Sequence, residues 1–97
     1  MVVKHFTKSD AISFAKKYKI DLSVVPITEF HIGLNIEREH SGTISKLTDI
    51  VGHNRDLICR IALAHLQEDP RYYYFLHKQE VRRDKYWKNH KKPSIFL

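Results

Sequence analysis

Apolar residues recur at helical spacing along most of the chain, and helix-capping residues stand at the starts of these runs. Thr7 and Asp10 have the spacing of a capping box, and the residues after them predict a first helix over about residues 8–19. Pro26 suits the first turn of a helix, and the pattern after it predicts a second helix over about 27–40. Part of this second run also alternates in the manner of a strand, but the helix formers at its end favour the helix.

The second half of the chain contains the most apolar helix of the sequence. Residues from about 54 to 68 are apolar on nearly every side, with Asn54 in the N-cap position. Such a helix is normally buried, so we expect it at the centre of the fold. Gly52 is a breaker before it, and a short turn of helix is predicted near residues 45–49.

The last predicted helix, over about residues 70–89, has two different sides. Asp69 and Pro70 are typical of an N-cap and a first helical position, and Pro93 lies beyond the end. One side collects Tyr73, Leu76, Glu80, Asp84 and Trp87. The opposite side collects Lys78, Arg82, Lys85 and Asn89. We expect the first side to pack on the other helices and the basic side to face outward.

The composition agrees with one compact all-α domain. The chain has 97 residues, 42% of them hydrophobic, with 3 Gly and 3 Pro, which excludes a disordered or loop-rich protein. We predict a compact bundle of four to five helices over residues 1–90, with a basic amphipathic C-terminal helix, and a tail over 91–97. The lone Cys59 lies in an apolar run, which favours a core position and an intracellular location. No run approaches the roughly 20 apolar residues of a membrane span, so no membrane partner is expected.

The net charge of +6 is confined to the C-terminal quarter. Residues 1–70 are neutral, whereas residues 71–97 hold eight Lys or Arg, two acidic residues, four of the five tyrosines and the tryptophan. Exposed bases bind phosphates and exposed rings stack on nucleotide bases, so this composition predicts binding of nucleic acid or of an acidic protein. The candidate contact residues are Lys78, Arg82, Arg83, Lys85, Lys88, Lys91 and Lys92. The alternative is a solvated helix face that serves solubility.

A second candidate site combines carboxylates with imidazoles. Its members are Glu37, Glu39, His40, His65 and Glu68. Helical bundles use Glu/His pairs three residues apart to bind transition metals, and such a cleft also suits acid–base catalysis. We favour the structural alternative, in which a glutamate accepts a hydrogen bond from His65 and the cluster locks two helices together. Apart from a divalent metal here, no cofactor is predicted, and the lack of a nucleophile or phosphate-loop motif favours a binding protein over an enzyme.

A longer pattern connects these residues with the last helix. It is G-x-x-x-E-x-E-H followed by I-A-x-x-H-L-x-E-x-P-x-Y-Y-x-x-L, and it runs from Gly33 to Leu76. This pattern resembles that of a family of small uncharacterised proteins from bacteria, phages and large DNA viruses. The resemblance implies a compact helical domain with one joint Glu/His cluster, and it supplies no activity. The Lys-rich, Ile-rich chain also resembles proteins of giant viruses of the Marseillevirus kind, which implies a host cytoplasm, nucleus or virion as its location.

The apolar end of the chain supports a third interpretation. Ile95, Phe96 and Leu97 follow two lysines and a proline, and such a tail can add to a neighbouring copy. On this interpretation the protein is a structural or virion component that acts by self-association, with a homodimer as the simplest form.

Overall fold

Four α-helices make up most of the computed structural model, which describes residues 3–38, 52 and 54–96. They are α1 (Lys8–Lys17), α2 (Ile27–Glu37), α3 (Arg55–Glu68) and α4 (Tyr72–Lys88). No strand occurs among the described residues, and the predicted all-α bundle is confirmed. Within the same residues, no helix is long and apolar enough to cross a membrane.

The ends of α1 follow from its local sequence. The side chain of Thr7 accepts a hydrogen bond from the Asp10 backbone N–H (3.1 Å), and the Asp10 carboxylate accepts one from the Thr7 N–H (2.9 Å). The predicted capping box is therefore confirmed. The helix ends at Lys17, because Lys19 takes a positive φ of 55° and the Ile20 N–H turns back to the carbonyl of residue 15 at 3.0 Å.

The second and third helices begin at or within a residue of their predicted starts. The side chain of Asn54 accepts a hydrogen bond from the Leu57 N–H at 3.0 Å, as expected of an N-cap. Gly52 has a φ of 55°, a backbone conformation that glycine adopts without strain. The predicted turn near residues 45–49 and the predicted end of α2 near residue 40 lie outside the described residues.

The predicted start of α4 was wrong by two residues. Asp69 does not cap the helix directly, because its side chain accepts from the Arg71 N–H (2.8 Å) and its carbonyl accepts from the Tyr72 N–H (2.9 Å). These bonds close a turn that contains Pro70, and α4 begins only after that turn, with Arg71 in the N-cap position.

The central helix is α2, and the expectation that α3 would hold this place was wrong. α2 packs against α1, α3 and α4, whereas α3 packs chiefly on α2. α3 reaches α1 through Asp56, which accepts hydrogen bonds from Lys17 Nζ (2.7 Å) and from the Tyr18 hydroxyl. The fully or almost fully buried apolar side chains are Val3, Phe6, Ala11, Ala15, Val25, Phe30, Leu34, Ile58, Cys59, Ala62, Leu66 and Tyr73.

An extended N-terminal segment completes the core against α2. Phe6 is fully buried, and its backbone N–H donates to the side-chain oxygen of Asn35 at 2.8 Å. The Phe6 carbonyl accepts from the Asn35 amide (3.0 Å) and lies 2.7 Å from the His31 ring nitrogen Nε2. These side chains satisfy the backbone groups that a strand partner would otherwise pair.

Among the described residues, α4 contributes to the hydrophobic core only near its N-terminal end. Tyr73 is buried and Leu76 is half-buried, but most residues from His77 onward are exposed. Its 17 residues span about 25 Å. Of the side predicted to pack on the bundle, Tyr73 is buried, Leu76, Glu80 and Trp87 are half-buried and Asp84 is exposed, so the prediction was wrong for Asp84.

Candidate functional site

The tightest contact between α2 and α4 is made by one tyrosine. Gly33 and Glu37 stand one turn apart on the same face of α2. A Cβ atom on Gly33 would lie 2.4 Å from Cε2 of Tyr73, so only glycine leaves room for this ring. The Tyr73 hydroxyl donates a hydrogen bond to Glu37 Oε2 at 2.6 Å. α2 thus provides a gap for the ring and an acceptor for its hydroxyl.

Two further rings surround this contact. His65 Nε2 lies 3.6 Å from Glu37 Oε2, and the His65 ring stacks on Tyr72 with centroids 4.2 Å apart and planes 9° apart. The rings of Tyr72 and Tyr73 meet edge to face at 5.0 Å. We call Gly33, Glu37, His65, Tyr72 and Tyr73 the aromatic joint.

The aromatic joint buries the carboxylate of Glu37 and supplies it with a hydrogen-bond donor, the Tyr73 hydroxyl. Glu37 is 4% exposed, and an ionised carboxylate is costly to bury unless other groups bond to it. Burial, with the hydrogen bond to Glu37 as a second cause, raises the pKa of Tyr73. Tyr73 therefore acts as a stable donor to Glu37, and it is not suited to serve as a general base near neutral pH.

Of the five predicted Glu/His residues, the structure brings Glu37 and His65 together. Glu68 is exposed at the end of α3, and Glu39 and His40 lie outside the described residues. Glu37 accepts from Tyr73, whereas its 3.6 Å distance from His65 exceeds a hydrogen bond. The other predicted acceptor, Glu39, lies outside the described residues, so the hydrogen bond from His65 stays a prediction. In the part of the chain that the structure describes, no three His, Cys, Asp or Glu residues could together hold a metal ion.

Sequence reasoning did not connect Tyr73 with Glu37. Tyr73 was predicted only to lie on the side of the last helix that packs on the others. The signal that could have found the contact is the spacing of Gly33 and Glu37, which puts a gap and an acceptor one turn apart on a single helix face.

The predicted basic surface lies on the exposed half of α4 and in the tail. Lys78, Arg82 and Lys85 follow one another at intervals of four and three residues, so they share a helix face, and all three are exposed. Arg83 is exposed and lies 3.7 Å from a Glu80 carboxylate oxygen. The other predicted members, Lys88, Lys91 and Lys92, are also exposed.

Aromatic rings stand beside these bases at the end of α4. Tyr86 is 53% exposed, meets Trp87 edge to face at 4.8 Å, and stacks on His90 with centroids 4.0 Å apart. Lys92 Nζ lies 5.9 Å from the centre of the Trp87 ring. The interleaving of bases and rings that the sequence predicted is thus present on the surface.

A groove of about 590 Å³ runs between α2 and the start of α4, and sequence reasoning did not predict it. Tyr74 stands on its α4 side, with Arg71 Cζ 4.4 Å and Lys78 Nζ 4.8 Å from the ring centre. A hydrogen bond from Lys78 lowers the pKa of Tyr74. Glu29 accepts from the Tyr74 N–H at 3.1 Å, and burial raises the pKa of that carboxyl. The side opposite Tyr74 is apolar, with Val24, Pro26, Ile32 and Ile36.

Cys59 is a core residue, as predicted. It is fully buried, and burial raises the pKa of its thiol to about 12. The reactive thiolate is therefore suppressed, and the cysteine belongs to the packing of α3.

The comparison with known families covers most of this fold. A family model described as a protein of unknown function (DUF5661) matches residues 11–82. The chain belongs to this family. The DUF5661 match contains the whole aromatic joint and ends at Arg82 inside α4, so the bases from Arg83 to Lys92 lie beyond it. No curated protein and no solved structure matches the chain. The predicted membership of an uncharacterised family is confirmed, while the viral source and the motif pattern stay predictions.

Proposed function

We propose that this DUF5661 protein binds nucleic acid through the exposed half of α4 and the tail. The observation that carries the proposal is that α4 contributes no residue beyond Leu76 to the described core, and that most of the excess positive charge lies in that part of the helix and in the tail. Lys78, Arg82 and Lys85 form an exposed stripe on that helix, and the neighbouring bases are exposed as well. Phosphate groups are recognised by exposed lysines and arginines that can approach a strand together.

The rings near the helix end favour nucleic acid over an acidic protein. Tyr86 and Trp87 lie among the bases, and rings of this kind stack on nucleotide bases in single strands. Self-association through this helix is disfavoured, because a second copy would bring the same excess of lysines and arginines against the first. The proposal implies a place of action inside a cell or in a particle that contains nucleic acid.

The test is fluorescence anisotropy with a labelled single-stranded oligonucleotide and the full chain. We expect binding at low salt, with a logarithmic salt dependence of about 0.7 per neutralised phosphate for a single strand. The double variant Arg82→Ala with Lys85→Ala should weaken binding and lower that slope by about 1.4, which corresponds to two phosphate contacts. Trp87→Ala should weaken binding without changing the slope, since stacking does not release counterions.

The matched control removes the same charge from a different helix. Lys8→Ala with Lys16→Ala takes two exposed lysines from α1 and leaves α4 unchanged. This control should bind nearly as tightly as the natural chain. Absence of any complex at low salt, or an equal loss in both double variants, would contradict the proposal.

A second candidate function rests on the approach of His65 to the buried Glu37. A half-exposed imidazole 3.6 Å from a carboxylate is a group that acid–base chemistry or a divalent metal can use. Elemental analysis of untagged protein, together with melting temperatures measured with added zinc or manganese and after chelation, tests the metal. Stoichiometric metal that is lost in His65→Ala would support it, and unchanged melting with no metal bound would leave the structural role of the joint.

A further inference from the structure

The side of α4 that borders the groove carries a stripe of residues with the spacing of a helix–helix contact, which we call the α4 seam. Its members are Arg71, Tyr74, Lys78, Val81 and Lys85. They follow at alternating intervals of three and four residues, which is the spacing of a stripe that packs against another helix. Yet Tyr74 is 42% exposed and Val81 is 55% exposed, so no described helix covers the stripe.

The opposite wall of the groove is aliphatic and equally exposed. Ile32 on α2 is 51% exposed and Val24 before α2 is 53% exposed, with Ile36 and Pro26 beside them. Exposed apolar surface that is continuous rather than scattered marks an interaction site. This wall offers aliphatic side chains and no Lys or Arg that could meet phosphates, so the groove fits a peptide better than a nucleic acid.

The length of the surface indicates an extended occupant. The seam runs from Arg71 to Lys85, about 21 Å at the rise of an α-helix, and it continues past the end of the groove. A drug-sized molecule would cover only the groove itself. A partner helix of about 14 residues would cover the whole seam.

The charges along the seam indicate the chemistry of that helix. Arg71, Lys78 and Lys85 stand two turns apart with Tyr74 and Val81 between them. The one acidic residue among the groove-lining residues described is Glu29, which already accepts the Tyr74 N–H. Carboxylates at two-turn spacing on a partner would meet these cations.

A second copy of this chain does not offer such a helix among its described elements. α4 is basic, and α1 carries Lys16 and Lys17 in its last turn. α2 and α3 use most of their apolar residues inside the bundle, and the exposed Ile32 of α2 belongs to the groove itself.

We propose that the groove and the α4 seam bind an acidic amphipathic helix of another protein. The bound helix sets an apolar stripe against Ile32, Tyr74 and Val81 and directs carboxylates to Arg71, Lys78 and Lys85. This activity is separate from nucleic-acid binding, although Lys78 and Lys85 belong to both surfaces.

The experiment is an NMR titration of the isotope-labelled full chain with two designed peptides of identical composition. In one peptide, leucines at alternating spacings of three and four form a stripe flanked by glutamates. In the other, the order is permuted so that leucines lie on every side. We expect the first peptide to bind about tenfold more tightly and to shift the amide signals of Val24, Ile32, Tyr74 and Val81.

Variants of the protein separate the groove from general charge attraction. Ile32→Ser and Lys78→Glu should each weaken binding of the first peptide about tenfold. Arg60→Glu, which reverses an exposed charge on α3 outside the groove, should leave binding nearly unchanged. Melting curves establish that each variant is folded, as expected for exposed positions. Equal binding of both peptides, no binding of either, or shifts confined to residues 86–96 would overturn the proposal.

Discussion

The two halves of α4 belong to one helix and have opposite environments. In the first half, Tyr73 is 1% exposed, fills the gap at Gly33 and bonds to Glu37. In the second half, Val81 and Tyr86 are more than half exposed and the charged residues face solvent. An isolated helix of this length is marginal in water, so the second half depends on the first as its anchored nucleus.

This difference separates the residues that anchor α4 from those that stay on its surface. Changes at Tyr73 alter the packing of α2 against α4, whereas changes from Val81 onward alter side chains that lie outside the described core.

The largest effect is expected for Tyr73→Ala. The variant loses a buried ring and one hydrogen bond to a buried carboxylate, which should lower the free energy of unfolding by about 3–5 kcal/mol. The matched change in the other half, Tyr86→Ala, removes the same side chain from an exposed position and should cost no more than about 0.5 kcal/mol. Urea unfolding followed by circular dichroism measures both. Similar losses of unfolding free energy in the two variants would contradict the difference between the halves.

An intermediate effect is expected for Gly33→Ala. The added Cβ would lie within 3.0 Å of three Tyr73 ring atoms, so the ring must move, at a cost of about 1–3 kcal/mol. Combining it with Tyr73→Ala should cost less than the sum of the two single changes, because the ring that causes the clash is gone. A strictly additive double variant would show that Gly33 acts on stability by some route other than this contact.

The smallest effect is a difference in ionisation between two neighbouring tyrosines. The hydrogen bond from Lys78 lowers the pKa of Tyr74 below its usual value near 10.0, whereas burial and Glu37 raise the pKa of Tyr73 above it. As pH rises, Tyr74 should lose its proton first and Tyr73 only when the fold is lost. Ultraviolet absorbance of tyrosinate measures this order. Tyr74→Phe should remove the earliest step, and Lys78→Gln should shift it to higher pH; an unchanged first step in both would contradict the assignment.

Local rules predicted the helices well where the deciding contacts are local. The Thr7–Asp10 box and the Asn54 cap each join residues three apart, so sequence alone placed the starts of α1 and α3. The start of α4 was predicted wrongly because Asp69 can either cap a helix or close a turn. Its side chain and its carbonyl both accept hydrogen bonds within the turn around Pro70, from the N–H groups of Arg71 and Tyr72. The positive charge of the C-terminal quarter likewise follows directly from its residues.

Capping, apolar spacing and charge are properties of neighbouring residues, so they predicted an all-α protein with a neutral N-terminal part and a basic last helix. The contact of Tyr73 with Gly33 and Glu37 joins residues 40 and 36 positions apart in the chain, and it follows from the tertiary structure alone. The central position of α2, and the extension of α4 beyond the described core, also follow from the tertiary structure. Such features depend on how helices cross and where each one ends, and these are set by the packing of whole side-chain surfaces.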